Sequence, residues 1–504
     1  MATFTGTGTN NDSVLLGIEN DSLVGNAGND SLGGGDGNNT ALGGTGNDTL
    51  YAGTGNDSLF GGDNDDSLSG GAGNDTLSGD AGNDRILAGS GNDFYAGGTG
   101  SDTLSFRDQT AGITFTLGGA DSIVSFGDTS TGFEAAEGSD FADTFRSSDQ
   151  QDQSFYGLGG NDSMEAGSGD YLDGGTGDDI LIGSVGTDGT LLDTLLGGAG
   201  NDTVTGFSGA DILDGGADQD FVNYADVTSA VQVNLGSNVN NQSDSLSNFE
   251  GVIGGSGNDS FGGGANAETF IGNAGGDTIN AGDGANLGLG GAGTDSFVGG
   301  TGADTFDGGT ENDTGIGNAG SDSLVGGAGN DSLSAGANND TVLGGVGADT
   351  LDGGADTDLL SYATDTVGVT VGLSGTTGIG GEAAGDSIVA NSFEQLAGGS
   401  GNDSLFGSSV ADTIIANAGN DTVSGTLGND SLDGGADTDL LNYSAATSAV
   451  TVDLTANTVT GAFGNDGVTG FEQVTTGGGT DSLRGATGVE TMDAAAGNDT
   501  VLGT

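Results

Sequence analysis

The sequence has no lysine, histidine, cysteine, tryptophan or proline, and its only arginines are Arg85, Arg107, Arg146 and Arg484. Each absence excludes something. Without histidine, neither a Ser-His-Asp triad nor a histidine-ligated zinc centre can be built. Without cysteine there is no disulfide framework and no thiolate metal site. Four scattered arginines form no basic cluster, which excludes nucleic acid as a partner, because phosphate binding draws on lysine and arginine. No apolar run approaches the roughly 18 residues of a membrane helix, so membrane insertion is not expected. The stretch from Met1 to Thr9 has neither the basic nor the apolar region of a classical signal peptide. Nor is there a long stripe of 3.6-residue period to suggest a helix.

Acid and glycine are abundant. Asp and Glu together number 74, the formal charge is −70 over 504 residues, and glycine occurs 111 times. Self-repulsion on this scale opposes compaction, so a folded state requires counterions. By composition alone the chain reads as disordered. Its periodicity argues otherwise once divalent cations are present, whereas without them disorder is the expectation.

Aspartate recurs every nine residues, and an apolar residue stands two positions after each one. The first run contains Asp12, Asp21, Asp30, Asp48, Asp57, Asp66, Asp75, Asp84, Asp93 and Asp102, with Asn39 in the one gap. A second contains Asp193, Asp202, Asp211 and Asp220. The third contains Asp259, Asp277, Asp295, Asp304, Asp313, Asp322, Asp331, Asp340, Asp349 and Asp358, with Glu268 and Asn286 in phase. The fourth contains Asp403, Asp412, Asp421, Asp430 and Asp439, and a terminal stretch holds Asp481, Glu490 and Asp499. Between about 144 and 192 strict phase is lost, although Asp162, Asp170 and Asp179 keep the composition. So strict a period predicts a chain that coils.

Four similar interruptions divide the runs. After Asp102, Asp220, Asp358 and Asp439, an aromatic residue stands at +4: Phe106, Tyr224, Tyr362 and Tyr443. Alternating triplets follow: Ile113-Phe115-Leu117, Val231-Val233-Leu235, Val369-Val371-Leu373 and Val450-Val452-Leu454. Alternation of this kind predicts half-buried strands. Each interruption ends in Phe-Glu, with Glu134, Glu250, Glu394 or Glu472 nine residues before the next ladder Asp.

A typical unit reads Gly70-Gly71-Ala72-Gly73-Asn74-Asp75-Thr76-Leu77-Ser78. Its glycines permit a tight turn with positive φ and leave carbonyl oxygens uncovered. Calcium takes roughly six to eight oxygens, which carbonyls and carboxylates can supply together. Thr-Leu-Ser then makes a short strand with its central side chain facing inward. The pattern resembles the nonapeptide of the RTX (repeats-in-toxin, hemolysin-type calcium-binding) family over most of the chain. The resemblance implies an all-β parallel β-roll or β-helix solenoid of about 18 residues per coil, two units to a coil. It also implies many bound Ca2+ ions, with the in-phase aspartates from Asp21 to Asp481 as ligands. Asp12, Asp162, Asp170 and Asp499 lie at edges or off phase, and Asn39, Asn286, Glu134 and Glu268 suggest weaker sites. Gly288 and Gly315 at the apolar position suggest local irregularities in the coil.

The expected organisation is β-roll at 1–102, strand insert at 103–142, β-roll with an irregular start at 143–220, insert at 221–258, and β-roll at 259–358. An insert at 359–402, β-roll at 403–439, an insert at 440–480 and a terminal coil at 481–504 complete it.

No enzyme is expected, because the acids are accounted for by the ladder and no segment remains for a catalytic domain. Open sites of this kind suit calcium near 10⁻⁴ to 10⁻³ M, on the order of external concentrations, which points to an extracellular or cell-surface location. The resemblance implies type I secretion. Neither end carries a recognisable cap, so the sequence predicts a structural protein that binds further copies of itself head-to-tail, as a filament or surface (S-) layer. The alternative is a calcium-stiffened adhesin or a glycan-binding module. An ice-binding face is less well supported: Thr45 and Thr54 begin Thr-Gly-Asn-Asp, but the position becomes Asp63, Ala72, Ala81 and Ser90 in the next repeats.

Overall fold

The computed structural model describes residues 1–118, 122–123, 127–148, 152–184, 192–487 and 491–503. The chain is an all-β parallel solenoid, and it divides into two units. Met1–Tyr224 with Asn238–Val252 forms the first, and Ala225–Ser237 with Ile253–Thr504 the second.

In the first unit every second nonapeptide stacks on its predecessor. Three-residue strands make one wall: Ser13–Leu15, Ser31–Gly33, Thr49–Tyr51, Ser67–Ser69, Arg85–Leu87 and Thr103–Ser105. Parallel pairing aligns Val14, Leu32, Leu50, Leu68, Ile86 and Leu104 in one row. Six-residue strands make the facing wall, aligning Leu23, Ala41, Leu59, Leu77 and Tyr95. In a strand so short only the middle side chain can face inward, and from Leu23 to Leu104 all of these are buried. One apolar side chain per nonapeptide is a thin core, each fully buried one contributing about 1.5–3 kcal/mol.

Between 143 and 202 the repeat spacing drifts, yet the stack persists. Phe145, Met164, Leu181 and Val204 stay aligned on one wall, and Ala136, Phe155, Leu172 and Leu195 on the other.

The second unit repeats the design. Phe270, Gly288, Phe306, Leu324 and Val342 align on one wall, and Phe261, Ile279, Phe297, Gly315, Leu333 and Leu351 on the other. The irregularity expected at Gly288 and Gly315 does not occur. A Cβ on Gly288 would lie 2.6 Å from the Phe297 ring, and one on Gly315 would lie 2.9 Å from Phe306. The two rings stack with centroids 5.0 Å apart. Each glycine therefore makes room for a phenylalanine from the opposite wall, and volume is conserved across the layer.

At the interruptions the alternating triplets become strands continuous with the solenoid walls. Thr114–Leu117 stacks in parallel on Thr144–Ser147, while Thr129–Thr131 stacks on Phe94–Thr99; the short strand Ser122–Ile123 joins them by antiparallel pairing. Val450–Asp453, Thr458–Gly461 and Asn465–Thr469 repeat this meander, with their outer strands on Ser482–Arg484 and Ser431–Asp433. In the second unit Gln232–Asn234 stacks on Ser260–Gly262, and Thr370–Gly372 on Ser404–Phe406. Three arginines are neutralised locally: Arg85 by Glu137, Arg146 by Glu165 and Arg484 by Asp453.

Candidate metal site at the coil turns

The sixth-position aspartates form two rows, one along each side of the coil, and their two carboxylate oxygens do different work. Oδ1 accepts the main-chain N–H of the aspartate one coil earlier. Asp30, Asp48, Asp66 and Asp84 donate in this way to Asp48, Asp66, Asp84 and Asp102 at 2.7–2.8 Å. Where the residue before the aspartate is asparagine, its side chain reaches the other way. Asn38 Oδ1 accepts from the N–H of Asn56, Asn56 from Asn74, and Asn74 from Asn92, each at 3.0 Å. Each Asn-Asp pair therefore fastens its coil to both neighbours. The sequence suggests only a turn at Asn-Asp; a side-chain ladder of asparagine has the same 18-residue signature and could have been sought there.

Oδ2 is different. In Asp30, Asp48, Asp57, Asp66, Asp75, Asp84, Asp102, Asp202, Asp211, Asp220, Asp277, Asp295 and Asp313 it is buried with no hydrogen-bond partner. The same holds for Asp322, Asp331, Asp340, Asp349, Asp358, Asp421, Asp439 and Asp481. A buried anion without a partner is costly, and one of these in nearly every turn marks a site that expects a cation. The off-phase Asp162 and Asp179 share the property. Their signal was the apolar residue kept at +2, Met164 and Leu181.

Two further observations describe what surrounds Oδ2. At Asn39, in place of aspartate, the amide Nδ2 donates to the carbonyls of Gly35 at 3.1 Å and Gly37 at 3.0 Å. Asn286 does the same toward Gly282 and Gly284. The turn carbonyls thus converge on the sixth-position side chain and take a donor where one is offered. Five residues before most of the aspartates stands a glycine: a Cβ on Gly61 would lie 2.3 Å from Asp66 Oδ2 and 2.7 Å from the Gly79 carbonyl of the next coil. Carboxylate and carbonyl oxygens face one another there without a side chain between them. Among the described residues no three acidic side chains converge. The donor set is mixed carboxylate and carbonyl oxygen, which suits calcium and not zinc.

The electrostatics agree. Where these carboxyls are shifted up, burial is the main cause, and neighbouring carboxylates add to it, against the accepted main-chain N–H, which pulls the other way. Asp66, Asp179, Asp277 and Asp313 are raised to about 7, and Asp162 to about 8.

Not every predicted residue leaves Oδ2 open. In Asp259, Asp304, Asp403 and Asp412 it accepts the N–H of the residue four earlier, at 2.6–3.0 Å. Asp193 takes the Ser184 N–H, Asp93 the Tyr95 hydroxyl and Asp430 the Thr426 hydroxyl. Asp21 is buried and its Oδ1 receives the Ala2 N–H. The residue four before the aspartate separates the two states. At open turns it almost always has positive φ, as at Gly44 (119°), Gly62 (119°), Asn273 (69°) and Asn318 (73°), which turns its N–H away from the carboxylate. Gly255, Gly300 and Gly399 lack that conformation, and their N–H groups close the turn.

Ala at position 61 should crowd its site without backbone strain. Gly61→Ala is expected to weaken calcium at that turn by severalfold at most, because Ala335 and Ala416 hold the same position beside the open turns of Asp340 and Asp421. Gly17→Ala, where a Cβ meets nothing within 4 Å, should leave calorimetric calcium titrations unchanged. Identical titrations for the two variants would refute the steric argument.

A family model described as RTX calcium-binding nonapeptide repeat matches residues 7–41, 42–77, 69–104, 137–171, 150–189, 189–222 and 262–297. It also matches 280–315, 289–324, 316–351, 325–360, 391–409, 406–441 and 466–501, so that well over half of the chain is covered. No curated protein matched the sequence.

Proposed function

The chain belongs to the family of RTX calcium-binding nonapeptide repeat proteins and takes up many calcium ions; on that premise we propose that it is a secreted structural protein, stiffened by calcium and non-catalytic. The observation that carries this reading is the repeated buried, unpartnered Oδ2 along both rows. In the open turns, the Asp carboxylates and the carbonyls of the turn glycines would hold the ion. Calcium would supply positive charge between successive coils and bind them together, so that folding and binding are one event. A chain of this charge would stay unfolded where calcium is scarce and fold on reaching external concentrations.

Assembly into a filament or surface layer is the finer part of the proposal. A parallel solenoid can lengthen by stacking, since any terminal coil offers unpaired strand edges to another, and a head-to-tail contact that does not close builds a fibre. The alternative use of the same fold is as an adhesin or binding module.

Negative-stain imaging of the purified chain with millimolar calcium and with chelator tests the choice. Ordered filaments or sheets that appear only with calcium are expected. Monodisperse particles in calcium would exclude self-assembly and favour the adhesin.

A further inference from the structure

Three tyrosines outside the nonapeptide pattern stand where a cation would otherwise be needed. Asp244, Asp386 and Asp466 each continue a ladder row across an interruption: their Oδ1 atoms accept the N–H of Asp211, Asp349 and Asp430 at 3.0–3.2 Å. Sequence periodicity misses them, because they lie 33, 37 and 36 residues from their donors and not 18. All three are buried. Their Oδ2 atoms are nevertheless satisfied. Tyr224 donates its hydroxyl to Asp244 at 3.2 Å, Tyr362 to Asp386 at 2.7 Å, and Tyr443 to Asp466. These tyrosines are at most 2% exposed, so water cannot substitute for them.

The chain contains its own comparison. In the first interruption the corresponding aromatic is Phe106, without a hydroxyl, and the corresponding carboxylate is Asp128, which accepts the Asp93 N–H at 2.6 Å. Asp128 Oδ2 is buried with no partner. On the other side of the first three interruptions, the first aspartate of the resumed ladder is closed by main chain, whereas Asp481 after the fourth stays open. Ser139, Gly255 and Gly399 donate their N–H groups to Oδ2 of Asp143, Asp259 and Asp403 at 2.7–2.9 Å.

We propose that the interruptions contain calcium-free joints: tyrosine hydroxyls seal the turns of Asp244, Asp386 and Asp466, and main-chain N–H groups seal those of Asp143, Asp259 and Asp403. Each sealed turn lies at the end of a calcium row and takes no ion, whereas Asp128 at the first interruption and Asp481 at the fourth stay open. This rests on the calcium rows proposed above. A hydroxyl or amide proton provides the partner that a buried carboxylate needs, and the hydrogen bond holds at calcium concentrations too low to fill the open turns. The joints would therefore be formed first and lost last as calcium varies.

A structure of the calcium-loaded protein, with ions located by anomalous scattering, tests this directly. Ion density is expected at open turns such as Asp66 and Asp322 and absent at the six sealed turns. Ions at the tyrosine turns, with the hydroxyls displaced, would overturn the proposal while leaving the calcium rows intact. Absence of ions at the open turns as well would overturn the rows and the joints together. The triple variant Y224F/Y362F/Y443F gives an independent reading by calcium content in solution. Its content is expected to stay level or rise by as much as one ion per substituted turn, because each change recreates the Phe106–Asp128 arrangement. A fall would mean that the tyrosines help hold ions, against the proposal.

Discussion

Stripping calcium with EDTA at about pH 8 is expected to abolish most of the β-strand circular dichroism, the sealed joints being the last to go, and millimolar calcium should restore it. The expectation follows from the spacing of the rows. Neighbouring ladder carboxylates lie one coil apart, about 5 Å, the usual distance between paired strands. At an effective dielectric constant of about 20, each ionised pair repels by roughly 3 kcal/mol. A folded domain is stable by only about 5–15 kcal/mol in all, so a handful of uncompensated pairs exceeds the margin, and the rows contain many. The thin apolar core cannot offset this. Screening by salt should help little, because the oxygens concerned are buried. A chelated sample that kept both its β signal and its melting temperature would sink the calcium-dependent fold.

The second large effect is an inversion of the usual response to acid. In the metal-free fold many ladder carboxyls have pKa values raised above the unfolded value of 3.8, to about 6 in Asp75 and Asp102, about 7 in Asp66 and Asp277, and about 8 in Asp162. Burial is the principal cause. A carboxyl raised on folding penalises the fold when ionised; the penalty is full above the raised value and disappears as pH falls toward 3.8. The chelated protein should therefore gain β structure as pH is lowered from about 8 to about 4. With calcium present the sign reverses for the ion, since protons compete for the same oxygens and the calcium midpoint should rise as pH falls below about 7. Calcium titrations followed by circular dichroism at several pH values check both halves. A midpoint independent of pH, or a chelated chain equally unfolded at pH 4, would contradict them.

Much of this could be read from the residues. The period of nine and the apolar residue at +2 specify the walls, and they place Leu32, Leu50, Leu68 and Ile86 in one buried row. The ladder aspartates could be named one by one, and nearly all are buried as a ligand row requires. What stayed hidden depends on contacts between residues far apart in sequence. Asp128, Asp244, Asp386 and Asp466 join the rows through loops of unequal length, so no fixed period reveals them. The open or closed state of a turn depends on one φ angle four residues before the aspartate. Gly62 adopts the left-handed value and Gly300 does not, though both are glycine. Gly288 and Gly315 looked like defects because the compensating Phe297 and Phe306 lie on the opposite wall.

The reciprocal Asn-Asp fastening has a mechanical consequence. Where a coil is clasped by side chains of the coils before and after it, tension applied along a unit loads these clasps in series. Rupture would start at a free coil and advance by one at a time. Each 18-residue coil drawn out at about 3.3–3.6 Å per residue would release about 60 Å of slack. The molecule would yield under load in discrete steps, one coil at a time.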